Sequence, residues 1–463
     1  MTLKDLIIIG GGPGGYSAAL RGAQRGLKVT LVEQDRLGGT CLNRGCIPTK
    51  TLLHYAYLYS SVSKSPVFGE QSIPVQYEKI IEAKDNVVDK VVGGIQKLLA
   101  ANQVDVIRGR ASFTNPNSLS VIKEDQSREE IQGNSIVIAT GAKSEIDSIL
   151  KVDGEKIIGT DEVLNLKTLP KSIVIIGSGR RGTEFATFFN SFGTKVTLIE
   201  QETQILSKMD REISIRLRAI LNRQGIKVLT NTKVTDIDFS GELPTVTVAG
   251  KRGIEKTGIE KVLVPGTRKA NIENLNLEKA GIQTKDGFIS VNKNFETSLK
   301  GVFAVGDVIG QQLSAHHALA TGLSLINYLT GREISYNEKQ IPFCVYSNPE
   351  IASIGITQEE AEKKQEILIG KFPFAGAGRA QSIAEEDGIV KFIVDKKYGE
   401  ILGVHILGPQ ATELISMASL AMKNELTVDM LGSAIFPHPS LSEAIAEATW
   451  DLKNEAIHSL KNW

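Results

Sequence analysis

A strand, a glycine turn, a helix and a second strand ending on glutamate occur twice in this chain, at identical spacing. Residues 6–9 are an apolar run suited to a buried strand, followed at once by Gly10-Gly11-Gly12-Pro13-Gly14-Gly15, a helical stretch over 16–26 and the strand Val29-Thr30-Leu31-Val32, which closes on Glu33. The order returns with a strand over 173–176, the turn Gly177-Ser178-Gly179-Arg180-Arg181-Gly182 and a strand over 196–199 that closes on Glu200. Glu33 stands 23 residues after Gly10 and Glu200 stands 23 after Gly177, so the two copies are offset by 167 throughout. The physics of such a unit is specific. Glycines let backbone approach a pyrophosphate, the helix N-terminus attracts its charge, and the acid bonds the adenosine ribose. One G-x-G-x-x-G is weak, but its recurrence with the same acid spacing is not. The pattern predicts an α/β chain with two Rossmann-like dinucleotide-binding domains. Gly10, Gly12, Gly15 and Glu33 belong to the first, and Gly177, Gly179, Gly182 and Glu200 to the second. Two such folds suggest FAD in one and a nicotinamide nucleotide in the other. Glu200 favours NAD over NADP, because a carboxylate repels a 2′-phosphate.

Arg180 and Arg181 are unusual in that turn. A cation at the positive end of a helix dipole costs about 0.3–1 kcal/mol when exposed. A bound phosphate reverses that sign; the alternative is that the side chains point to solvent, Arg181 above all.

Length and composition bound the rest. A chain of 463 residues exceeds one simple core, so about two to four domains are expected. Lysine and arginine total 53 against 53 acids, leaving no basic excess for a nucleic acid. The run over 6–9 is too short to span a bilayer and lacks a secretory lead. Three cysteines, Cys41, Cys46 and Cys344, do not make a secreted disulfide framework, and a cytoplasmic setting is expected.

Between the nucleotide units lies Gly38-Gly39-Thr40-Cys41-Leu42-Asn43-Arg44-Gly45-Cys46-Ile47-Pro48-Thr49-Lys50, with a helix read over 51–60. Cysteines in or just before a first helical turn gain thiolate character from the dipole, as disulfide exchange requires. Four intervening residues exceed the two usual in a zinc knuckle, and no second pair completes a tetrahedral site, so no metal is assigned. Two unrelated cysteines are the bland alternative. Cys344 has no such setting. Lys50 lies at i+4 from Cys46, on the same helix face.

This segment resembles the active-site segment of the pyridine nucleotide–disulfide oxidoreductases, above all those members that oxidise dihydrolipoamide. The likeness extends to Ala139-Thr140-Gly141, to Val305-Gly306-Asp307 and to Tyr346-Ser347-Asn348-Pro349-Glu350-Ile351-Ala352. It implies Cys46 as the flavin-side thiol, Cys41 as the thiol that meets substrate, and Lys50 near the flavin, paired with Glu184. It further implies FAD contacts from Gly39, Thr40, Lys50, Ala139, Thr140, Gly141, Gly306, Asp307 and Ala315. NAD contacts would come from Arg180, Glu184 and Gly266. Phe436-Pro437-His438-Pro439-Ser440-Leu441-Ser442-Glu443 resembles the family's C-terminal signature, with His438 as acid–base catalyst and Glu443 orienting it. In such relatives the histidine serves the other subunit, so a homodimer is implied. Independently, Ser440 to Glu443 fits an S-x-x-E capping box, a purely structural role for Glu443. His405 reads as a strand residue, and His316 and His317 carry no assigned chemistry.

The chain departs from the family at four places. Arg180 stands where an aromatic or aliphatic residue usually packs at the nicotinamide. Gly266-Thr267-Arg268-Lys269-Ala270-Asn271 replaces Gly-Arg-x-Pro-Asn, Thr321 takes a position commonly glutamate, and Phe436 one commonly histidine.

The resemblance thus implies an FAD domain from 1–147 and 271–340, an NAD domain over 148–270, and a C-terminal α+β dimerisation domain over 341–463. The implied activity is an NAD-dependent dihydrolipoyl dehydrogenase acting on lipoyl domains of a 2-oxoacid dehydrogenase or glycine cleavage complex. The alternatives are a reductase of another disulfide or of a metal, and a lipoyl-protein-binding paralogue with impaired NAD turnover. The C-terminal cysteine pair of mercuric reductases is absent from this chain's end, Leu460-Lys461-Asn462-Trp463.

Overall fold

The structure, a computed structural model, describes residues 4–63, 65, 67–68, 73–145, 152–250, 253–334 and 336–460. The expected 147/148 domain boundary and residues 461–463 lie outside the described residues. The chain forms two compact units, one of Met1–Leu52, Glu78–Asp147 and Gly266–Glu338, the other of Leu53–Tyr77, Ser148–Pro265 and Lys339–Trp463.

In the first unit the apolar strand Lys4–Ile9 is the centre of a parallel sheet. It pairs with Val29–Glu33 on one side and Arg128–Ile138 on the other, and Asp105–Asn115 and Val302–Ala304 extend the two edges. Leu6, Ile7 and Ile8 are fully buried, as a strand covered on both faces requires. Asp105–Asn115 and Arg128–Ile138 also run on into an antiparallel extension through Ser118–Lys123. Helix Pro13–Gln24 starts earlier than the sequence suggests. Pro13 occupies its first turn, where a missing N–H costs nothing and the fixed φ suits a helix.

In the second unit a parallel sheet runs in the order Lys227–Leu229, Lys195–Ile199, Ser172–Ile176, Lys261–Leu263, Ile157–Ile158. A separate antiparallel sheet runs Phe343–Val345, Glu350–Gly355, Ile401–Gly408, Ile389–Asp395, Ile367–Pro373, with helices Ala411–Lys423 and Glu443–Asp451 packed on it. His405 is buried in its strand, as expected, and burial pushes its imidazole down. Lys391 of the same sheet is buried and holds both oxygens of buried Asp210, at 2.8 and 3.0 Å. A paired buried charge is tolerated, whereas one left alone is expensive. The architecture is therefore mixed α/β, with two nucleotide-binding folds and a C-terminal α+β domain. Among the described residues, no helix is long and apolar enough to cross a membrane.

The 167-residue repeat survives as geometry. Gly10 N–H donates to Val32 carbonyl at 2.8 Å, and Gly177 N–H to Ile199 carbonyl at 2.8 Å. Their φ angles are +104° and +105°, a region that side chains avoid. A Cβ on Gly15 would lie 1.8 Å from the Gly10 carbonyl oxygen, and one on Gly182 would lie 1.9 Å from that of Gly177. Helix and strand touch there through bare backbone. Gly182→Ala is accordingly expected to destabilise the protein by about 3 kcal/mol or more, since backbone cannot yield as a side chain can. A denaturant midpoint equal to wild type would refute this packing.

Candidate active site

Each acid that ends a second strand turns back to its glycine turn. Glu33 Oε2 accepts from the Gly11 N–H at 2.6 Å, and Glu200 Oε2 from the Ser178 N–H at 2.9 Å. The other oxygens accept from Asp35 N–H at 2.8 Å and Glu202 N–H at 3.0 Å. Both carboxylates are thus fixed in orientation while keeping lone pairs for ribose hydroxyls.

These turns fit the dinucleotides that the sequence implies. A Cβ on Gly177 or Gly179 meets nothing within 4 Å, so both positions border open space directly before the N-terminus of helix Arg180–Ser191. In the first unit Gly12 meets only the Gly39 Cα, at 3.9 Å. Among the described residues, the buried Thr140 hydroxyl and Arg268 Nε have no hydrogen-bond partner, which suits a polar ligand there. Gly306 N–H donates to Thr321 Oγ1 at 3.0 Å, and that hydroxyl donates to the backbone carbonyls of His317 and Ala318, both at 3.0 Å. Thr321 therefore braces the Gly306–Asp307 corner from inside the fold, a role that its unfamiliar identity did not suggest. Arg268 Nη2 lies 3.2 Å from Asp307 Oδ2. His317 is buried against Gln311, with its ring nitrogen 3.1 Å from Gln311 Oε1, and burial pushes its imidazole down to about 4. It is a neutral structural group. Gly141, Ala315 and Gly266 stand respectively after strand Arg128–Ile138, at the start of helix Ala315–Leu329, and after strand Lys261–Leu263.

Cys41 and Cys46 come together as neighbours whose sulfurs hydrogen-bond. The helix that carries them differs from expectation. It begins at Cys46 and runs to Ser63, while Cys41 sits in a separate short helix, Gly39–Arg44. Pro48 is harmless in the first turn, where its missing N–H would be unbonded anyway. Thiolate character, expected of both residues, is not found at Cys41. The hydrogen bond to Cys46 and burial push its thiol well up, against the opposing charge of Lys50. Cys41 packs with Tyr16 and Ile47 around Leu42, Val88 and Val92. Burial and then the Cys41 sulfur push the Tyr16 phenol up as well. Tyr16 was not singled out in the sequence, because its place in the helix after the turn looks like any packing position.

His438 Nδ1 lies 2.8 Å from Glu443 Oε1, and the His438 side chain is 77% exposed. Glu443 Oε2 accepts from the Ser440 N–H at 2.8 Å. The capping box is only half formed. Ser440 Oγ meets Ser442 Oγ at 2.8 Å, and the helix Glu443–Asp451 has Ser442 as its N-cap, with no side-chain cap. Glu443 therefore orients His438 with one oxygen and holds the turn with the other. Burial opposes its charge, but the His438 and Ser440 hydrogen bonds outweigh that and hold the carboxyl below its usual range. Phe436 packs against the C-terminal core, and Ile435 beside it is fully exposed.

At the second glycine turn, neither arginine simply faces water. Arg180 opens helix Arg180–Ser191, and its guanidinium carbon sits 4.7 Å from the centroid of the Phe343 ring. Arg181 Nη1 lies 3.4 Å from Thr160 Oγ1. Glu184, one turn after Arg180 and buried, accepts from the Tyr346 N–H at 3.0 Å.

Comparison with known proteins agrees with this geometry. Residues 4–322 match the pyridine nucleotide-disulphide oxidoreductase family, and 341–449 match its dimerisation domain. The chain is 40% identical to a dihydrolipoyl dehydrogenase of Thermus scotoductus, over 99% of this chain and 100% of that one. It is 38% identical to a dihydrolipoyl dehydrogenase of Bacillus subtilis, over 99% of both. Among solved structures, a Cu(II) complex of the HOCl-induced flavoprotein disulfide reductase RclA from Escherichia coli is similar, with a TM-score of 0.86 and 31% identity. The match covers 97% of this chain and 99% of that one. The two glycine turns, the adjacent cysteines and the dimerisation domain are one inheritance: the chain belongs to the pyridine nucleotide–disulphide oxidoreductases and is an FAD- and NAD-using flavoprotein disulfide oxidoreductase.

Proposed function

We propose that this enzyme oxidises protein-bound dihydrolipoamide to lipoamide and reduces NAD to NADH. The hydrogen-bonded Cys41–Cys46 pair carries this reading, together with the names of its full-length relatives. FAD would be held by Gly10, Gly12, Gly15, Glu33, Gly39, Thr40, Lys50, Ala139, Thr140, Gly141, Gly306, Asp307 and Ala315. NAD would be held by Gly177, Gly179, Arg180, Gly182, Glu184, Glu200 and Gly266. Bound there, the two cofactors supply the sink for one electron pair.

The residues do the thiol chemistry. With the pair oxidised, His438 takes the proton of one substrate thiol, and the thiolate attacks Cys41 Sγ. The Cys41–Cys46 bond breaks and Cys46 leaves as a thiolate, with the Lys50 ammonium one helical turn on to favour the negative charge. The second substrate thiol passes its proton to Cys41 as its sulfur attacks the mixed disulfide, so Cys41 leaves as a thiol. The lipoyl disulfide closes, and the enzyme pair is left reduced by two electrons. Glu443 keeps the imidazole aimed throughout.

A fully assigned reading takes residues 1–147 with 271–340 as the FAD domain, 148–270 as the NAD domain and 341–463 as the interface domain. His438, exposed beside its carboxylate, would serve the cysteine pair of a second subunit in a homodimer. Lipoyl domains of a 2-oxoacid dehydrogenase or glycine cleavage complex are the expected partners, in the cytoplasm.

A second reading, reduction of another oxidant, is favoured by the likeness to the Cu(II)-bound reductase. Anaerobic mixing of purified holoenzyme with dihydrolipoamide and NAD separates the two. NADH formation at about 1–10³ per second is expected. A flavin that dihydrolipoamide leaves oxidised, while NADH with Cu(II) turns over, would overturn the first reading.

A further inference from the structure

The helix that carries Glu443 holds a second histidine one turn on. Glu443 and Glu447 stand four residues apart in helix Glu443–Asp451, so their side chains leave the same face, about 6 Å apart along its axis. Each carboxylate divides its oxygens in the same way. Glu443 gives one to the His438 ring at 2.8 Å and the other to the Ser440 N–H at 2.8 Å. Glu447 gives one to His458 Nδ1 at 2.7 Å and the other to the Ile457 and His458 N–H groups, at 2.8 and 3.2 Å. Asp451, a further turn along, is turned to the Lys371 N–H at 2.8 Å.

The His458 imidazole is not needed as an anchor. The two backbone bonds already tie this stretch of chain to the helix. The His458 carbonyl also packs on the uncharged turn Phe374–Gly376, where a Cβ on Gly376 would come within 2.7 Å of it. The His458 side chain is 64% exposed, while Glu447 is buried. A carboxylate on Nδ1 fixes the ring and leaves Nε2 for proton exchange. The two pairs also sense each other. Burial opposes the Glu443 charge, the His438 and Ser440 hydrogen bonds favour it, and the charges that His438 and His458 can carry add to them.

Proton bookkeeping gives this second pair a task. Two thiols that become one disulfide release two electrons and two protons. Reduction of NAD to NADH uses both electrons and one proton, so one proton per turnover goes to water. His438 receives the first thiol proton and Cys41 the second. Cys41 must lose that proton before its bond to Cys46 can re-form, and His438 can accept it only after giving up the first. We propose that His458, held by Glu447, takes the first proton from His438 and passes it to water, which empties His438 for the second half of the cycle. His458 acts as a base and then as an acid, and no electron moves in the step. The inference rests on the dihydrolipoamide reaction proposed above.

The test compares His458→Gln and His458→Ala in purified holoenzyme, with free dihydrolipoamide and NAD as substrates. Glutamine keeps an N–H for Glu447 but cannot carry a proton. Both variants are expected to keep the flavin absorbance and thermal midpoint of wild type. Both should lower kcat by about tenfold with KM for dihydrolipoamide nearly unchanged, and recover most of that loss in imidazole buffer, which carries the proton instead. A wild-type kcat in His458→Gln overturns the inference. So does a loss that imidazole leaves unrepaired, because that is the mark of a structural role. Failure of wild type to oxidise dihydrolipoamide overturns the proposed reaction itself, and the inference with it.

Discussion

Cys41→Ser is expected to lower lipoamide turnover by about 10³-fold or more while the protein keeps its flavin and its fold. The reason is electronic rather than steric. Serine fills nearly the same volume beside Tyr16 and Ile47, so the packing around Leu42, Val88 and Val92 persists. What disappears is the sulfur that, in the proposed mechanism, forms a mixed disulfide with substrate, because an alkoxide neither forms nor leaves such a bond. In the dithiol state the hydrogen bond to Cys46 and burial already push the Cys41 thiol up. The reduced pair thus holds its proton, and substrate attack belongs to the oxidised state. Flavin absorbance and a thermal melt report whether the fold is intact, and steady-state rates report the loss. A Cys41→Ser enzyme that turns over lipoamide at the wild-type rate would remove Cys41 from the chemistry.

His438→Gln is expected to cost about 10²–10⁴ in kcat/KM, the usual worth of a positioned acid–base group. Glutamine keeps a hydrogen-bonding reach toward Glu443 but cannot carry a proton. Glu443 matters through His438. Its carboxyl is held below the usual range, so the orienting charge is present above a normal carboxyl pKa of about 4.3 and is lost only as pH falls through the lower folded value. Glu443→Gln should therefore lower kcat with little change in flavin content. Mixed dimers test where His438 acts. A dimer of one Cys41→Ser chain and one His438→Gln chain keeps one intact site if histidine and cysteines come from different subunits. It keeps none if both come from one chain. Coexpressed, differently tagged chains separate these outcomes, and inactive mixed dimers would exclude catalysis across the interface.

Much of this site was legible in the chain because its parts are local. A positive φ at Gly10, bare backbone at Gly15 and an acid 23 residues on are demands of one strand–turn–helix–strand unit, and they recur at Gly177, Gly182 and Glu200. The Cys41–Cys46 spacing is local too, although the break between the helices Gly39–Arg44 and Cys46–Ser63 was not read. The double duty of Glu443 was legible too, because a capping carboxylate has a second oxygen to spare, and in the turn over 438–443 each role has its own oxygen.

The sequence alone determined the two nucleotide folds, because glycine sterics and helical period act over a few residues; the histidine–glutamate pair was read from resemblance to the family's C-terminal signature. Tertiary structure alone decided that Arg180 lies on Phe343, that Thr321 braces Gly306, and that Lys391 neutralises Asp210. Those partners stand on different elements, and a long side chain has many rotamers. Which one it keeps depends on sheets and helices that close only when the whole unit packs.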